Sequence, residues 1–265
     1  MRVFRLAGHA SPVAARKFGK LAKQVGADGN ILIVGAGGLG VPAAFAVARA
    51  GVRHLGVIDP DPIELSNLPR QVLYTTDDIS VPKVDALARR LKQEFGDLAV
   101  EALVSEFDAG NAADLIARYD FIIDATDNPR AKFLITDACV AARRPFVYAG
   151  VIGLSGQAMT VIAGRTACLR CLFEEEPDEA EVASCRDAGI IGPLAGAVGE
   201  IEAAEALSVI RGAAPMLAGR MLTLNLSREA RVRVTRVAAR EGCACGAWRA
   251  ASRSDDALSQ RNERI

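Results

Sequence analysis

The residues best placed to do chemistry lie near the N-terminus, where Gly35-Ala36-Gly37-Gly38-Leu39-Gly40 follows the apolar run Ile31-Leu32-Ile33-Val34. A buried strand, a glycine turn and a helix start in that order present backbone N–H groups to a phosphate, and the helix dipole adds to the attraction. Asp59 ends the next apolar run, Leu55-Gly56-Val57-Ile58, where an acid commonly holds a ribose hydroxyl. On these features alone a dinucleotide is the better reading, which would make the chain an NAD-dependent oxidoreductase.

The segment after Asp59 shifts that reading. Asp61 is followed by Ser66-Asn67-Leu68-Pro69-Arg70-Gln71 and then by Pro82-Lys83. A pyrophosphate is adequately held by a glycine turn, but a triphosphate carries more charge and calls for side-chain cations. Arg70 offers a planar fork for phosphate oxygens, and Lys83 a point charge at a helix start. Asp127 lies just past the apolar run Phe121-Ile122-Ile123, on the edge where open α/β sheets bind ligands, and an acid beside triphosphate oxygens is a natural Mg²⁺ ligand. Asn128 before Pro129 serves as a helix cap and leaves Asp127 free for that task.

The six cysteines do not have the pattern of a disulfide scaffold. Cys168-Leu169-Arg170-Cys171 and Cys243-Ala244-Cys245 are two pairs that together offer four thiolates, the ligand set of a closed structural Zn²⁺ site. A redox dithiol is the rival reading, disfavoured because neither pair opens a helix after a strand. Cys185, beside Arg186 and ahead of a helix, sits where a cation and a helix N-terminus favour thiolate. Cys139, in an Ala- and Val-rich helix, reads as a core residue. His9 and His54 are the only histidines, His54 reads as a surface residue, and no Gly-x-Ser-x-Gly elbow is present, so a Ser-His-Asp hydrolase has little support.

These residues need a scaffold, and 265 residues at 51% hydrophobic provide one. Helices are expected from Leu39 to Ala50, Lys83 to Phe95 and Pro129 to about Arg143. They alternate with strands ending near Val34, Ile58, Val104, Ile123 and Tyr148. That alternation means parallel βαβ units in a doubly wound, Rossmann-like α/β sheet. After Gly150, runs at Gln157–Ala163, Met221–Leu226 and Arg231–Val237 read as antiparallel strands extending it, with an Ala/Gly/Glu-rich helical stretch between them. One domain over residues 1–248 is expected, with an N-terminal helical arm at 1–29 and a disordered polar tail at 249–265. Formal net charge is +0, so no global field points to nucleic acid or to a membrane. The longest apolar stretch, Ala188 to Ile210, is broken by Pro193, Glu200, Glu202 and Glu205. No secretory signal is evident, and a cytoplasmic location is expected.

Taken together, the glycine turn, Asp59-x-Asp61, Ser66-Asn67-Leu68-x-Arg70-Gln71, Pro82-Lys83 and Asp124-x-Thr126-Asp127-Asn128 resemble the ThiF/MoeB/HesA family, bacterial relatives of ubiquitin-activating enzymes. The resemblance runs from about residue 30 to 245 and keeps motif order and spacing. It implies an adenylyltransferase. ATP and Mg²⁺ would activate the C-terminal Gly-Gly carboxylate of a small ubiquitin-like sulfur carrier as an acyl-adenylate, with release of pyrophosphate, for molybdopterin, thiamine or related sulfur biosynthesis. It also implies a homodimer, and a separate sulfur donor is expected. Carried over by position, Gly38 contacts the phosphates and Asp59 the ribose. Asn67, Arg70 and Lys83 contact the phosphates, Asp127 holds Mg²⁺, and Cys185 matches the family's reactive cysteine.

Two departures stand out. The second cysteine pair is C-x-C where the family has C-x-x-C. The family's Arg-Tyr-x-Arg-Gln-like stretch is replaced by His9-Ala10-Ser11-Pro12-Val13, leaving Arg16 or Arg5 to substitute, or the role lost. The second departure motivates an alternative, a non-catalytic module that docks a ubiquitin-like partner.

Overall fold

The computed structural model describes residues 29–177, 189–227 and 230–246. The expected N-terminal arm, the substitutes Arg5 and Arg16, Cys185 and the polar tail lie outside the described residues.

Among the described residues eight strands form one sheet in the order β3-β2-β1-β4-β5-β6-β7-β8. The strands β1 (Asn30–Val34), β2 (His54–Ile58), β3 (Ala99–Leu103), β4 (Phe121–Asp124) and β5 (Phe146–Ile152) run parallel. Then β6 (Ser155–Val161), β7 (Arg220–Asn225) and β8 (Arg231–Arg236) extend the sheet antiparallel. This is the Rossmann-like architecture read from the sequence. Its strand order reverses between β1 and β4, the switch point where such sheets bind ligands.

The central strand β1 shows why. From Ile31 to Val34 it is apolar and buried because both faces are covered. Ile31 and Ile33 pack into one core layer, and Leu32 and Val34 into the other. Burying each such side chain contributes roughly 1.5–3 kcal/mol. Helix α1 (Gly40–Arg49) buries Val41, Ala44, Val47 and Ala48, and ends before Gly51. Helix α2 (Lys83–Glu94) buries Val84, Leu87 and Leu91. The helix α3 (Ala112–Arg118) was not anticipated; Asp108, whose carbonyl accepts the Ala112 N–H, starts it, and Leu115 and Ile116 bury one side. Helix α4 (Pro129–Ala141) opens on the expected Asn128 cap, whose side chain accepts the Ala131 N–H at 3.3 Å.

The Ala/Gly/Glu-rich stretch is one long helix, α6 (Gly192–Ile210), after the short α5 (Leu169–Leu172). It packs against α1, β5 and β6 with Ala195, Val198 and Ala203 inward. Its acids are not all solvent-facing: Glu202 and Glu205 are buried. Glu205 accepts hydrogen bonds from the Met216 and Leu217 N–H groups, which anchors the loop ahead of β7. His54 is exposed and Cys139 is in the core, as read from the sequence. Among the described residues no helix is long and apolar enough to cross a membrane.

Candidate active site and metal centre

A cavity of about 710 Å³ opens at the C-terminal ends of the parallel strands, over the β1/β4 switch point. The glycine turn forms its floor. Gly35 has φ +102°, and a Cβ there would stand 2.7 Å from the Ala125 carbonyl oxygen. A Cβ on Gly40 would stand 1.9 Å from the Gly35 carbonyl oxygen, so only glycine lets the helix start this close to the strand end. Gly35, Gly37 and Gly38 line the cavity, whereas Gly40 lies beneath it and acts through packing.

Asp59 ties the turn in place. One carboxylate oxygen accepts the Ala36 N–H at 2.7 Å and the other the Asp61 N–H at 2.9 Å. Burial pushes its carboxyl above the ordinary range, against the pull of the Lys83 ammonium and the two N–H groups. The site therefore uses Asp59 as a clamp on the glycine turn, a task additional to the ribose contact expected from sequence. Tyr74, buried beneath, has its hydroxyl 2.8 Å from the Ala36 carbonyl oxygen and 3.2 Å from that of Lys83. Burial and the Asp59 carboxylate hold that phenol protonated as a donor.

Lys83 lines the cavity as expected but is already paired, 2.7 Å from Asp61 and 3.6 Å from Asp59. Arg70 also lines it. Its guanidinium donates to the Ser66 carbonyl at 3.0 Å and has no carboxylate partner among the described residues. Asn67 is buried on the wall, its amide oxygen accepting the Glu64 N–H at 3.3 Å. Ser66, placed in the site from sequence, is exposed, is not on the cavity wall, and donates its hydroxyl to Glu64 at 3.1 Å. Across the cavity stand Asp127 and Asn128. Asp127 is exposed, with no hydrogen bond or ion pair among the described residues.

Several residues on or behind the wall had no sequence signal strong enough to single them out. Lys132 is buried 3.2 Å from Asp124, with its ammonium 5.1 Å from the Tyr148 ring centre. Asp124 also accepts the Thr126 hydroxyl at 2.6 Å, which winds the turn that presents Asp127. The spacing Asp124 to Lys132, a strand end and the second turn of the following helix, was the available clue. Gln71, quoted only as part of a motif, is buried on the wall with its side-chain oxygen unpartnered. Glu202 is fully buried with both carboxylate oxygens unpartnered, and burial together with Asp124 pushes its carboxyl well above the ordinary range.

The two cysteine pairs meet, and the shorter C-x-C spacing does not prevent it. Sulfur separations are 3.6 Å for Cys168–Cys243, 3.6 Å for Cys171–Cys245 and 4.0 Å for Cys168–Cys171. All four sulfurs lie within 4.8 Å of one another. Ligands about 2.3 Å from a tetrahedral Zn²⁺ stand about 3.8 Å apart, so the set fits that ion. Burial and the neighbouring sulfurs push the Cys168 thiol up, and four thiolates this close need a cation between them. Leu169 and Phe173, next to this knot, also line the cavity.

The ThiF family model matches residues 10–246. A sulfur carrier protein adenylyltransferase of Thermus thermophilus is 38% identical over 211 residues, 75% of this chain and 78% of that protein. The adenylyltransferase and sulfurtransferase MOCS3 of Culex quinquefasciatus is 37% identical over 194 residues, 73% of this chain; this chain spans only 44% of the length of that relative. The crystal structure of Escherichia coli MccB with ATP superposes with a TM-score of 0.74 at 20% identity, covering 86% of this chain and 69% of that one, a likeness of fold. From the matched motifs, the switch-point cavity and these relatives together, the chain belongs to the ThiF family.

Proposed function

We propose that this protein is an ATP-dependent adenylyltransferase that activates the C-terminal Gly-Gly carboxylate of a small ubiquitin-like sulfur carrier. The observation that carries the reading is one cavity with a glycine-turn floor, an Arg70 guanidinium without a carboxylate partner and, opposite, an unpartnered Asp127 carboxylate. A triphosphate with its divalent ion matches that charge arrangement. The names of the relatives from Thermus and Culex point to the same reaction.

In this reading the turn residues Gly35, Gly37 and Gly38 offer backbone N–H groups to the phosphates, and Asp59 the ribose contact. Asn67, Arg70 and Lys83 hold phosphate oxygens. Lys83 gives up Asp61 for them, because Asp61 is 62% exposed and its carboxylate returns to water at little cost. Asp127, with Asn128 beside it, would hold Mg²⁺, which when bound neutralises charge on the phosphate oxygens. An oxygen of the carrier's terminal carboxylate attacks the α-phosphorus. The bond from that phosphorus to the bridging oxygen breaks, and pyrophosphate leaves with the electron pair. No general base is required, since the nucleophile is already ionised near pH 7. Fixed cations stabilise the charge that builds on the leaving group. The four-cysteine knot would hold Zn²⁺ and brace the cavity wall at Leu169 and Phe173. The assembly is a homodimer, sulfur comes from a separate donor, and Cys185 is the thiol available for a covalent link to the carrier.

The test is ATP–pyrophosphate exchange with Gly-Gly-ended carriers. Exchange that depends on the carrier is the expected result. ATP binding without exchange would support a docking pseudo-enzyme, and saturable nicotinamide binding would restore the oxidoreductase reading.

A further inference from the structure

Helix α6 stands behind the cavity and touches, along one face, the segments that carry the site. A Cβ on Gly192 would lie 3.4 Å from the Arg70 Cα, a Cβ on Gly38 would lie 3.3 Å from that of Ala195, and a Cβ on Gly199 would lie 2.3 Å from the Leu39 carbonyl oxygen. Gly192, Ala195, Gly199 and Glu202 recur three or four residues apart, so they share that face. The first three set the helix against the phosphate side by shape alone. The fourth is polar. Glu202 is fully buried, neither of its carboxyl oxygens has a partner, and the charges acting on it are those of Asp124 on β4 and Lys132 on α4. Asp124 is equally buried. Its Oδ1 accepts the Lys132 ammonium at 3.2 Å and the Thr126 N–H and hydroxyl at 3.2 and 2.6 Å, while its Oδ2 has no partner. Lys132 supplies one positive charge, which offsets one buried carboxylate but not two. A second acid in so dry a place keeps its proton, and a buried carboxylate oxygen without a donor is costly. The two needs match, since one group has a proton to offer and the other lacks a donor.

We propose that Glu202 is a positioning residue for the divalent-ion side of the site: it keeps its proton, donates it in a hydrogen bond to Asp124 Oδ2, and so fixes the Asp124–Thr126 turn that presents Asp127. The inference rests on the reading in which Asp127 holds Mg²⁺, and adds to it the group behind the turn that sets where that carboxylate stands. Groups behind a metal ligand orient it, and their loss is felt in metal affinity before it is felt in the fold. A role in packing alone needs a side chain of this volume and nothing more, and an apolar side chain of similar size would serve it as well or better. A role through the hydrogen bond needs a donor at this position, which a neutral amide supplies and a thioether does not.

The test compares Glu202→Met, which keeps the volume and removes the donor, with Glu202→Gln, which keeps both. ATP affinity of each protein is measured by calorimetry, once with Mg²⁺ and once with a chelator in its place. Mg²⁺ should tighten ATP binding by the parent. In Glu202→Met that gain should shrink by about tenfold, with the affinity in chelator unchanged within about twofold. Glu202→Gln should keep the gain. The infrared difference spectrum between the parent and Glu202→Gln at neutral pH should show the carbonyl stretch of a protonated carboxylic acid, a result that does not need Glu202→Met to fold. The proposal is overturned by a full gain in Glu202→Met, by a loss of affinity in Glu202→Met that is equal with and without Mg²⁺, by loss of the gain in Glu202→Gln, by a parent that shows no gain, or by absence of the infrared band. A parent that binds no ATP overturns this inference and the adenylation reading together, whereas a parent that binds ATP with the Mg²⁺ gain but does not exchange overturns the adenylation reading alone.

Discussion

The Lys83 ammonium lies 2.7 Å from an Asp61 carboxylate oxygen, in an ion pair with one buried and one exposed partner, and 3.6 Å from buried Asp59. The two acids therefore matter differently. Asp61→Asn should change stability by less than about 1 kcal/mol, as expected of an exposed partner. Lys83→Met strands Asp59 and, on the proposed adenylation reading, removes a phosphate ligand. Thermal melts should show clear destabilisation, and calorimetry should show ATP affinity down by about tenfold or more. Unchanged ATP affinity would remove Lys83 from the phosphate site.

Asp127 supports nothing else among the described residues, so its loss should leave the fold intact. Asp127→Asn is expected to melt within about 0.5 kcal/mol of the parent. Pyrophosphate exchange should fall by about a hundredfold or more, as for loss of a group that stabilises transition-state charge. A variant that exchanges normally would show that the divalent ion is held elsewhere.

Glu202 couples stability to pH. Its folded carboxyl is raised well above the ordinary value of 4.5, so the folded state holds the proton more tightly than the unfolded chain. Stability is then lost as pH rises from the unfolded value through the folded one, and is highest on the acid side of that window. Glu202→Gln removes the term. The melting temperature of the variant relative to the parent should rise steadily with pH over that window. A difference independent of pH would mean that Glu202 does not titrate there.

Purified protein should carry about one zinc per chain by mass spectrometry of the metal. Either stripping by a chelator or Cys243→Ser should lower the melting temperature. Protein expressed in zinc-replete medium that holds no metal, or that shows a Cys168–Cys243 disulfide, would favour the redox dithiol instead.

Gly35→Ala meets two penalties together, a left-handed φ of +102° and a Cβ only 2.7 Å from the Ala125 carbonyl oxygen. Destabilisation of about 1–3 kcal/mol is expected, with weakened ATP binding because the turn must shift. Denaturant titration measures the first and calorimetry the second.

Much of the architecture was legible because local pattern and global fold agree. The alternation within Ile31–Val34 already divides its side chains between two core layers, and Asn128-Pro129 already marks a helix start. The cavity-lining residues ahead of helix α2 were legible as a group because they sit in short, ordered motifs. What escaped was made by tertiary packing. Lys132 earns its place only when a helix folds back onto the end of β4, and Gln157 and Thr223 only when register aligns three antiparallel strands with the cavity. Ser66 and Gly40 went the other way, since spacing brought them into the motif and packing kept them off the cavity wall. The C-x-C pair shows the limit of counting residues: one fewer between the cysteines still lets their sulfurs converge, because the backbone around Gly242 and Gly246, both at positive φ, turns sharply enough.

The sulfurs of Cys168 and Cys243 are neighbours in space and 75 residues apart in sequence. Everything between them, the long helix α6 and the strands β7 and β8, hangs from the chain as a loop whose two ends are pinned at one point. A cation gripping that point is a crosslink, and a crosslink around a loop of this length removes several kcal/mol, about 4 by chain-entropy reasoning, of disorder from the unfolded chain. The antiparallel extension then cannot peel from the sheet as a free end. It detaches only as a tethered lobe, and the arrival of the ion would be the moment at which the C-terminal third of the molecule becomes one cooperative unit with the rest.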